Sequence, residues 1–320
     1  MFPQAFSPAA QAALAARVEL VAPPLTAAAV EAATGEFAGV EIVISSWSPP
    51  VFHEALLRRL PDLRAVFHAG GSVKSMVTDA LWRRGIRVTS AAQANAIAVA
   101  DFTISQTIFC LKHGWQRVAE MRAGGEFRRE DDAPCGVRGG VVGLLSLGHT
   151  GRLVAERLRA LDVAVLGYDP YVAPEVARQA NVRLAGLDEV FSASDVVSCH
   201  TPLLAETTGM LRGRHFARLR RGAAFINTAR GAVVNEPELA EVLARRPDLV
   251  AVLDVTWPEP PARDSPLRRL ANVVLTPHIA GSIGREYQRI GDMILADLDH
   301  YSRGEPLRGE VTPEQIPLIA

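Results

Sequence analysis

Val141-Val-Gly-Leu-Leu-Ser-Leu-Gly-His-Thr-Gly151 opens a unit that runs on through Arg152–Leu161 to Val163-Ala-Val-Leu-Gly-Tyr-Asp169. Val141, Val142, Leu144 and Leu145 form a short apolar run bounded by glycines, the pattern of a strand buried on both faces. Gly148 and Gly151 then let the backbone turn tightly and approach a ligand. Val154, Leu158 and Leu161 recur at helical spacing, and a second apolar run ends at Asp169. Strand, glycine turn, helix, strand and a closing carboxylate aim the amides of a helix start at an anion, which in this arrangement is a dinucleotide pyrophosphate. Asp169 lies 18 positions after Gly151, near the ~20 expected of a carboxylate that accepts from the adenosine ribose hydroxyls. Ser146 stands where the fingerprint wants its first glycine, so the motif is imperfect.

The unit sits in the middle of 320 residues, a length that accommodates two domains with a core each. A hydrophobic content of 48% and a charged content of 22% describe an ordinary globular protein. The net charge of −1 provides no electrostatic case for nucleic acid or a membrane surface as partner. Cys110, Cys135 and Cys199 match no zinc spacing and no disulfide framework, so no metal is expected and a reducing compartment is favoured. The Ala-rich start, Ala9 to Ala16, follows no basic segment, and no 18-residue apolar run is apparent. These features point to the cytoplasm.

Before the unit, Val18–Ala22, Glu41–Ser45, Leu63–Ala69 and Ile86–Thr89 read as strands, with helices over Thr26–Ala33, Val51–Leu60 and Met76–Arg84 between them. Such alternation implies a parallel sheet with crossover helices, a small α/β domain of its own. His68-Ala-Gly-Gly-Ser-Val73 is a glycine-rich turn at the carboxyl end of a strand, where open α/β sheets bind ligands. It also fits a plain turn that needs small residues. Ala96 to about Met121 reads as one long helix with Ile97, Ile104, Ile108 and Leu111 on a face suited to joining domains or to a dimer contact. Gly124–Gly140 reads as a charged surface connection.

After Asp169 the strands are Asp195–His200, Ala223–Asn227, Leu249–Val255 and Val273–Thr276. Asn235 with Glu238 reads as an N-cap and capping-box pair for a helix to Arg245. A last helix, about Gly284–Arg303, is long enough to pack back across the first domain. Arg230, Asp254, Glu259 and His278 follow strand ends on one edge. Singly, each is compatible with a solvated turn or a structural histidine. Together they suit hydride chemistry on a 2-oxo acid. An arginine grips the carboxylate and polarises the carbonyl, an imidazole exchanges the proton, and a carboxylate orients the imidazole.

With these residues in view the chain resembles the D-isomer-specific 2-hydroxyacid dehydrogenases. The likeness rests on the nucleotide unit and on Arg83-Arg-Gly-Ile-Arg-Val-Thr-Ser90, Ala94-Asn-Ala-Ile-Ala-Val-Ala-Asp-Phe-Thr103, Asn227-Thr-Ala-Arg-Gly231, Leu253-Asp-Val-x-x-x-Glu-Pro260 and Leu275-Thr-Pro-His-Ile-Ala-Gly281. It implies two Rossmann-like or flavodoxin-like α/β domains with parallel sheets and an active site in the cleft between them. The substrate domain would comprise residues 1–97 and 286–320, and the NAD-binding domain residues 98–285. It also implies an NAD-dependent dehydrogenase, of the glyoxylate/hydroxypyruvate reductase or phosphoglycerate dehydrogenase kind, that works as a homodimer on a small 2-oxo or 2-hydroxy acid.

Carried over by position, Arg230 is the substrate-binding arginine, Glu259 the partner of the histidine and His278 the acid/base. The loop Gly70, Gly71, Ser72 and Val73 would hold the substrate carboxylate through its amides. The cofactor contacts fall on Ser146, Gly148, His149, Thr150 and Gly151, and on Asp169. They continue at His200, Thr201 and Pro202, then at Thr228 and Ala229, with Asp254 at the nicotinamide carboxamide and His278 beside it. Asp169 argues for NAD over NADP, since its carboxylate repels a 2′-phosphate. Besides Ser146, the chain departs from the family at His149, where an arginine is frequent, and at Ser72 and Lys74, where glycine and aspartate are common. It departs again at His68, where phosphoglycerate enzymes tend to carry arginine. The same fold serves NAD-responsive corepressors, so an NAD-sensing binding protein is the alternative reading.

Overall fold

The structure, a computed structural model, describes residues 2–35, 37–125 and 136–319. These fall into two compact units, Met1–Asn95 with Ser282–Ala320, and Ala96–Gly281. The strands in chain order are β1 Ile42–Ser45, β2 Ala65–His68, β3 Arg87–Ser90, β4 Gly140–Leu145, β5 Val163–Tyr168 and β6 Arg183–Leu184. They continue with β7 Val196–Cys199, β8 Ala224–Asn227, β9 Val250–Leu253, β10 Val273–Leu275 and β11 Glu310–Val311.

In the first unit the order is β1-β2-β3-β11, with β11 antiparallel to β3 and the other pairs parallel. The register pairs Ser45 with His68 and His68 with Ser90, so three carboxyl ends finish level. β2 is buried on both faces, and its side chains alternate between two cores as the strand pleat requires. Val66 joins Phe52, Leu56, Met76 and Leu81, and Phe67 joins Phe6, Leu14, Ile290 and Ile294. Helices Pro8–Ala15 and Tyr287–Ser302 supply Leu14, Ile290 and Ile294 of the second group, so the end of the chain belongs to this unit. Val18–Ala22 is not a strand. Leu20 and Val21 are exposed, and the run enters Pro23-Pro24, which lack the N–H groups a ladder needs. The fourth strand is β11 instead.

In the second unit all strands are parallel in the order β10-β9-β8-β7-β4-β5-β6. The chain starts at β4, builds to one side through β6, then crosses to β7 and builds to the other. The reversal opens a crevice at the carboxyl ends of β4 and β7, the place where such sheets bind ligands.

The long helix expected from Ala96 is two helices, Ala92–Leu111 and Gly114–Arg122. His113 adopts φ +51° between them, and Gly114 lies so close to the Phe109 ring that a β-carbon would overlap it. The reversal brings Trp115 edge-on to Phe109, centroids 4.9 Å apart. The fully buried residues on this side of the first helix are mostly small, Ala96, Ala100, Thr103, Thr107 and Cys110, and Leu111, expected on the other face, is buried in the core as well. Ile97, Ile104 and Ile108 are only half-buried. This helix is long and apolar enough by composition to cross a membrane, with a mean hydropathy of 1.3, which corrects the expectation of no such run. Its buried small face packs within the domain core.

Asn235 caps Glu236–Arg245 by accepting from the Glu238 amide at 3.1 Å. The reciprocal half of the capping box is absent, because the Glu238 carboxylate turns to the Gly213 amide and Arg212 at 2.7 and 3.1 Å. Cys135 and most of the expected surface connection, residues 126–135, lie outside the described residues.

Candidate functional site

At the end of β4 the chain turns through Ser146, whose φ is +73°. That region suits glycine and strains a serine by ~1–2 kcal/mol, so the penalty for the missing glycine is conformational. Its amide donates to the Tyr168 carbonyl at 2.8 Å, and its hydroxyl meets Thr201 Oγ1 at 3.2 Å. Gly151 is required sterically, since a β-carbon there would overlap the Ser146 carbonyl oxygen. The helix His149–Leu158 begins at Gly148 with no side-chain cap. Nothing lies within 4 Å of where a Gly148 β-carbon would be. An uncapped helix start facing open space, with positive dipole and spare N–H groups, suits a phosphate group.

Asp169 Oδ2 accepts from the Leu147 amide at 2.8 Å, and Oδ1 accepts from Tyr171 and Val172 at 2.9 and 3.0 Å. Oδ1 is saturated, and Oδ2 retains one lone pair for a ribose hydroxyl. His200, across the crevice at the end of β7, has its Nε2 3.1 Å from Ser198 Oγ. Its Nδ1 is buried without a partner, and burial pushes its pKa down to about 4, so the ring is neutral. An orphaned ring nitrogen at the switch point is a group that a bound dinucleotide can satisfy. Thr228 is turned inward, its hydroxyl 3.2 Å from Thr103, and both polar groups of the Ala229 backbone are engaged, by Asn227 and Arg230. These residues therefore fit NAD(H) at its pyrophosphate, its ribose and the switch point.

The second cluster in this unit gathers at the ends of β8, β9 and β10. His278 Nδ1 lies 2.6 Å from Glu259 Oε1, with both side chains partly exposed. The imidazole thereby carries its proton at Nδ1 toward the carboxylate and leaves Nε2 free for chemistry. His278 has φ +55°, an arrangement that persists only where its surroundings enforce it. Asp254 does so. Its carboxylate, 2% exposed, accepts from Thr276 Oγ1, the Ile279 amide and the Ala280 amide at 2.6, 2.8 and 2.9 Å, while its carbonyl accepts from the His278 amide at 3.0 Å.

Arg230 is half-buried, and burial lowers its pKa from the ordinary value, opposed by the charge of Glu259. Its Nη1 donates to the Ala229 carbonyl at 2.7 Å. Sequence reasoning named Arg230, Glu259 and His278, and missed two supports. Thr276 was quoted without a role. Glu236, at the start of the helix capped by Asn235, accepts from the Trp257 amide at 2.6 Å and so holds the loop that carries Glu259. Burial pushes the Glu236 pKa up to about 7. Among the described residues no His, Cys, Asp and Glu side chains cluster to hold a metal.

In the other unit the loop Gly70–Val73 follows β2. His68 does not face outward. It is 2% exposed, with Nδ1 2.9 Å from Ser45 Oγ, and burial pushes its pKa down to about 4. Its ring lies against Gly70, where a β-carbon would overlap it. His68 is thus a neutral floor under the loop rather than a contact for a substrate. The Lys74 amide leans on Ser72 Oγ at 3.4 Å.

Comparison with known proteins matches this geometry to a family. Residues 104–280 match the model described as D-isomer specific 2-hydroxyacid dehydrogenase, NAD binding domain. A D-3-phosphoglycerate dehydrogenase of Archaeoglobus fulgidus is 33% identical over 261 residues, 82% of this chain and 49% of that protein. The human D-3-phosphoglycerate dehydrogenase is 32% identical over 254 residues, 79% of this chain and 47% of that protein. The chain spans about half the length of these relatives. Among solved structures, a protein from Thermus thermophilus superposes with a TM-score of 0.75 at 28% identity, covering 95% of this chain and 96% of that one.

Proposed function

This chain belongs to the D-isomer-specific 2-hydroxyacid dehydrogenases, and from that membership we propose that it interconverts a small 2-oxo acid and its D-2-hydroxy acid. The cofactor is NAD(H), the ligand of the family domain that residues 104–280 form. The observation that carries the reading is the 2.6 Å pairing of His278 with Glu259, on loops built at the same sheet edge as Arg230. NADH, when bound, supplies the hydride to the carbonyl carbon. His278 delivers a proton from Nε2 to the oxygen and recovers it in the reverse direction. Glu259 fixes the ring, and Arg230 draws the carboxylate and carbonyl into line. The amides of Gly70–Val73 add a neutral grip on the carboxylate.

NADH oxidation with glyoxylate, hydroxypyruvate and other 2-oxo acids tests this, run in parallel with NADPH. Turnover is expected with NADH, and kcat/KM with NADPH is expected to be lower by on the order of 10²-fold, because Asp169 places a like charge beside the 2′-phosphate. Tight NADH binding without turnover on the whole panel would move the chain to the sensor reading. Equal use of NADPH would remove the Asp169 argument.

His149 opens the first turn of the helix that follows Gly148. Burial first, and then the charge of Arg152, lowers its pKa below the ordinary 6.5. A pyrophosphate at that helix start favours the charged ring, so the bound pKa exceeds the free one. Between the two values NAD binding takes up a proton. The dissociation constant for NAD is therefore expected to fall as the pH is lowered through the bound pKa and to level off below the free one. Titration calorimetry at several pH values reads this, and His149→Ala is expected to flatten the profile.

A homodimer through the NAD-binding unit is part of the same proposal. Phe109 and Met121, on successive helices of that unit, are 37% and 54% exposed, beside half-buried Ile104 and Ile108. Burying that surface against a second copy is expected to give a dimer in sedimentation velocity, and a monomer at micromolar concentration would exclude it.

A further inference from the structure

The loop Gly70–Val73 has an orientation that its own residues do not dictate. None of its four amides donates to an acceptor among the described residues, whereas the carbonyls of Gly70, Gly71 and Val73 are taken. Ser90, at the end of β3 and level with His68, donates its hydroxyl to the Gly71 carbonyl in a short bond, with the Gly70 carbonyl at 3.3 Å. In a planar trans peptide the carbonyl and the following N–H point in opposite directions. Capturing the carbonyls of Gly70 and Gly71 on the Ser90 side therefore turns the amides of Gly71 and Ser72 to the other side, side by side. Two such N–H groups form a concave anion site without a cation.

Ser90 is itself held at two points. Its hydroxyl accepts from the Ala92 amide at 3.1 Å, and its amide donates to the Gly309 carbonyl at 2.8 Å. The turn containing Gly309 is fastened by Asp297, a wholly buried carboxylate on the helix Tyr287–Ser302. Asp297 accepts from the Arg308 and Gly309 amides at 2.7 and 3.1 Å. A buried charge satisfied by backbone amides costs too much to shift, so the turn, Ser90 and the loop carbonyls form one rigid series. All of these residues belong to the unit that contains the loop.

We propose that Ser90, braced by Asp297, is a positioning residue for the substrate carboxylate, acting by aiming the amides of Gly71 and Ser72. The proposal rests on the 2-oxo acid reading above and adds the device that sets the carboxylate grip. Ser90 touches no substrate. Its effect is on affinity for the carboxylate and not on the hydride and proton steps.

The test uses the full chain saturated with NADH, and oxamate as a carboxylate probe that is not reduced. The oxamate dissociation constant is measured by calorimetry beside the NADH dissociation constant, KM and kcat for the best panel substrate, and the urea midpoint. Ser90→Ala is expected to weaken oxamate and raise KM about tenfold, the loss of one aligned hydrogen bond. NADH affinity and kcat are expected to stay near wild type. Ser90→Thr retains the hydroxyl and is expected to restore both. Asp297→Asn is expected to act in the same direction.

Wild-type oxamate affinity in a folded Ser90→Ala chain overturns the proposal and leaves the carboxylate reading standing. Equal losses for oxamate and NADH, or failure of threonine to rescue, also overturn it, since they mark a general structural defect. A wild-type chain that binds no oxamate removes the carboxylate reading and this proposal together.

Discussion

Replacing His278 with alanine is expected to lower kcat for 2-oxo acid reduction by about 10³-fold, within the range that a positioned general acid contributes. NADH affinity is expected to stay near wild type. The separation follows from what the side chain touches. Its Nδ1 is committed to Glu259 at 2.6 Å, and the ring is 49% exposed, so removing it opens no cavity and orphans no buried group. Nothing that holds the pyrophosphate end at Gly148 and Asp169 is disturbed. Removing the ring leaves the developing alkoxide with water as its proton source, and the cost falls on turnover. Steady-state kinetics with NADH titrations by fluorescence decide the matter. An unchanged kcat would falsify the assignment of His278 as the acid/base. Glu259→Gln retains a hydrogen-bonding partner for Nδ1 and is expected to fall between the two.

The residues that were legible beforehand are those whose chemistry depends on sequence spacing. Gly151 and Asp169 are fixed relative to a strand and a helix of ordinary length, and the glycine is demanded by one backbone oxygen. Glu259 and His278 follow two strands that the apolar pattern already marked, so their shared edge could be inferred before their 2.6 Å contact was seen. What could not be read depends on where backbone groups go. Val18–Ala22 has a strand's composition, but nothing in a local pattern shows that the ladder position is filled by Glu310–Val311 from the far end of the chain. The break at His113 was hidden for a similar reason. A continuous apolar periodicity carries no mark of a break at which the Phe109 ring lies too close to Gly114 for any side chain. His68 drew attention as a polar residue at a strand end, yet it is a buried floor. Polarity in sequence does not reveal the direction of a side chain.

Asp254→Ala is expected to destabilise the chain by roughly 3 kcal/mol, and to lower kcat by about 10²-fold in whatever remains folded. Family resemblance assigns this residue to the nicotinamide carboxamide, which predicts instead a loss confined to cofactor affinity. The geometry places most of its capacity elsewhere. Three donors, the Thr276 hydroxyl and the Ile279 and Ala280 amides, converge on one carboxylate that is 2% exposed. Removing it leaves the buried Ala280 amide without an acceptor, at about 1–3 kcal/mol, and the part-buried Ile279 amide with it, at a smaller cost. The regained solvation of the absent charge offsets only part of that. The loop so released is the one that holds His278 at φ +55°, a conformation the free backbone abandons. A misplaced imidazole then loses alignment with the carbonyl oxygen it must protonate, and displacement of about 1 Å is enough for a 10²-fold loss. Urea unfolding read beside kcat and the NADH dissociation constant separates the two roles. A stable Asp254→Ala chain that has lost only NADH affinity would assign the residue to the cofactor. A lowered urea midpoint and a lowered kcat, with residual NADH affinity retained, assign it to the histidine.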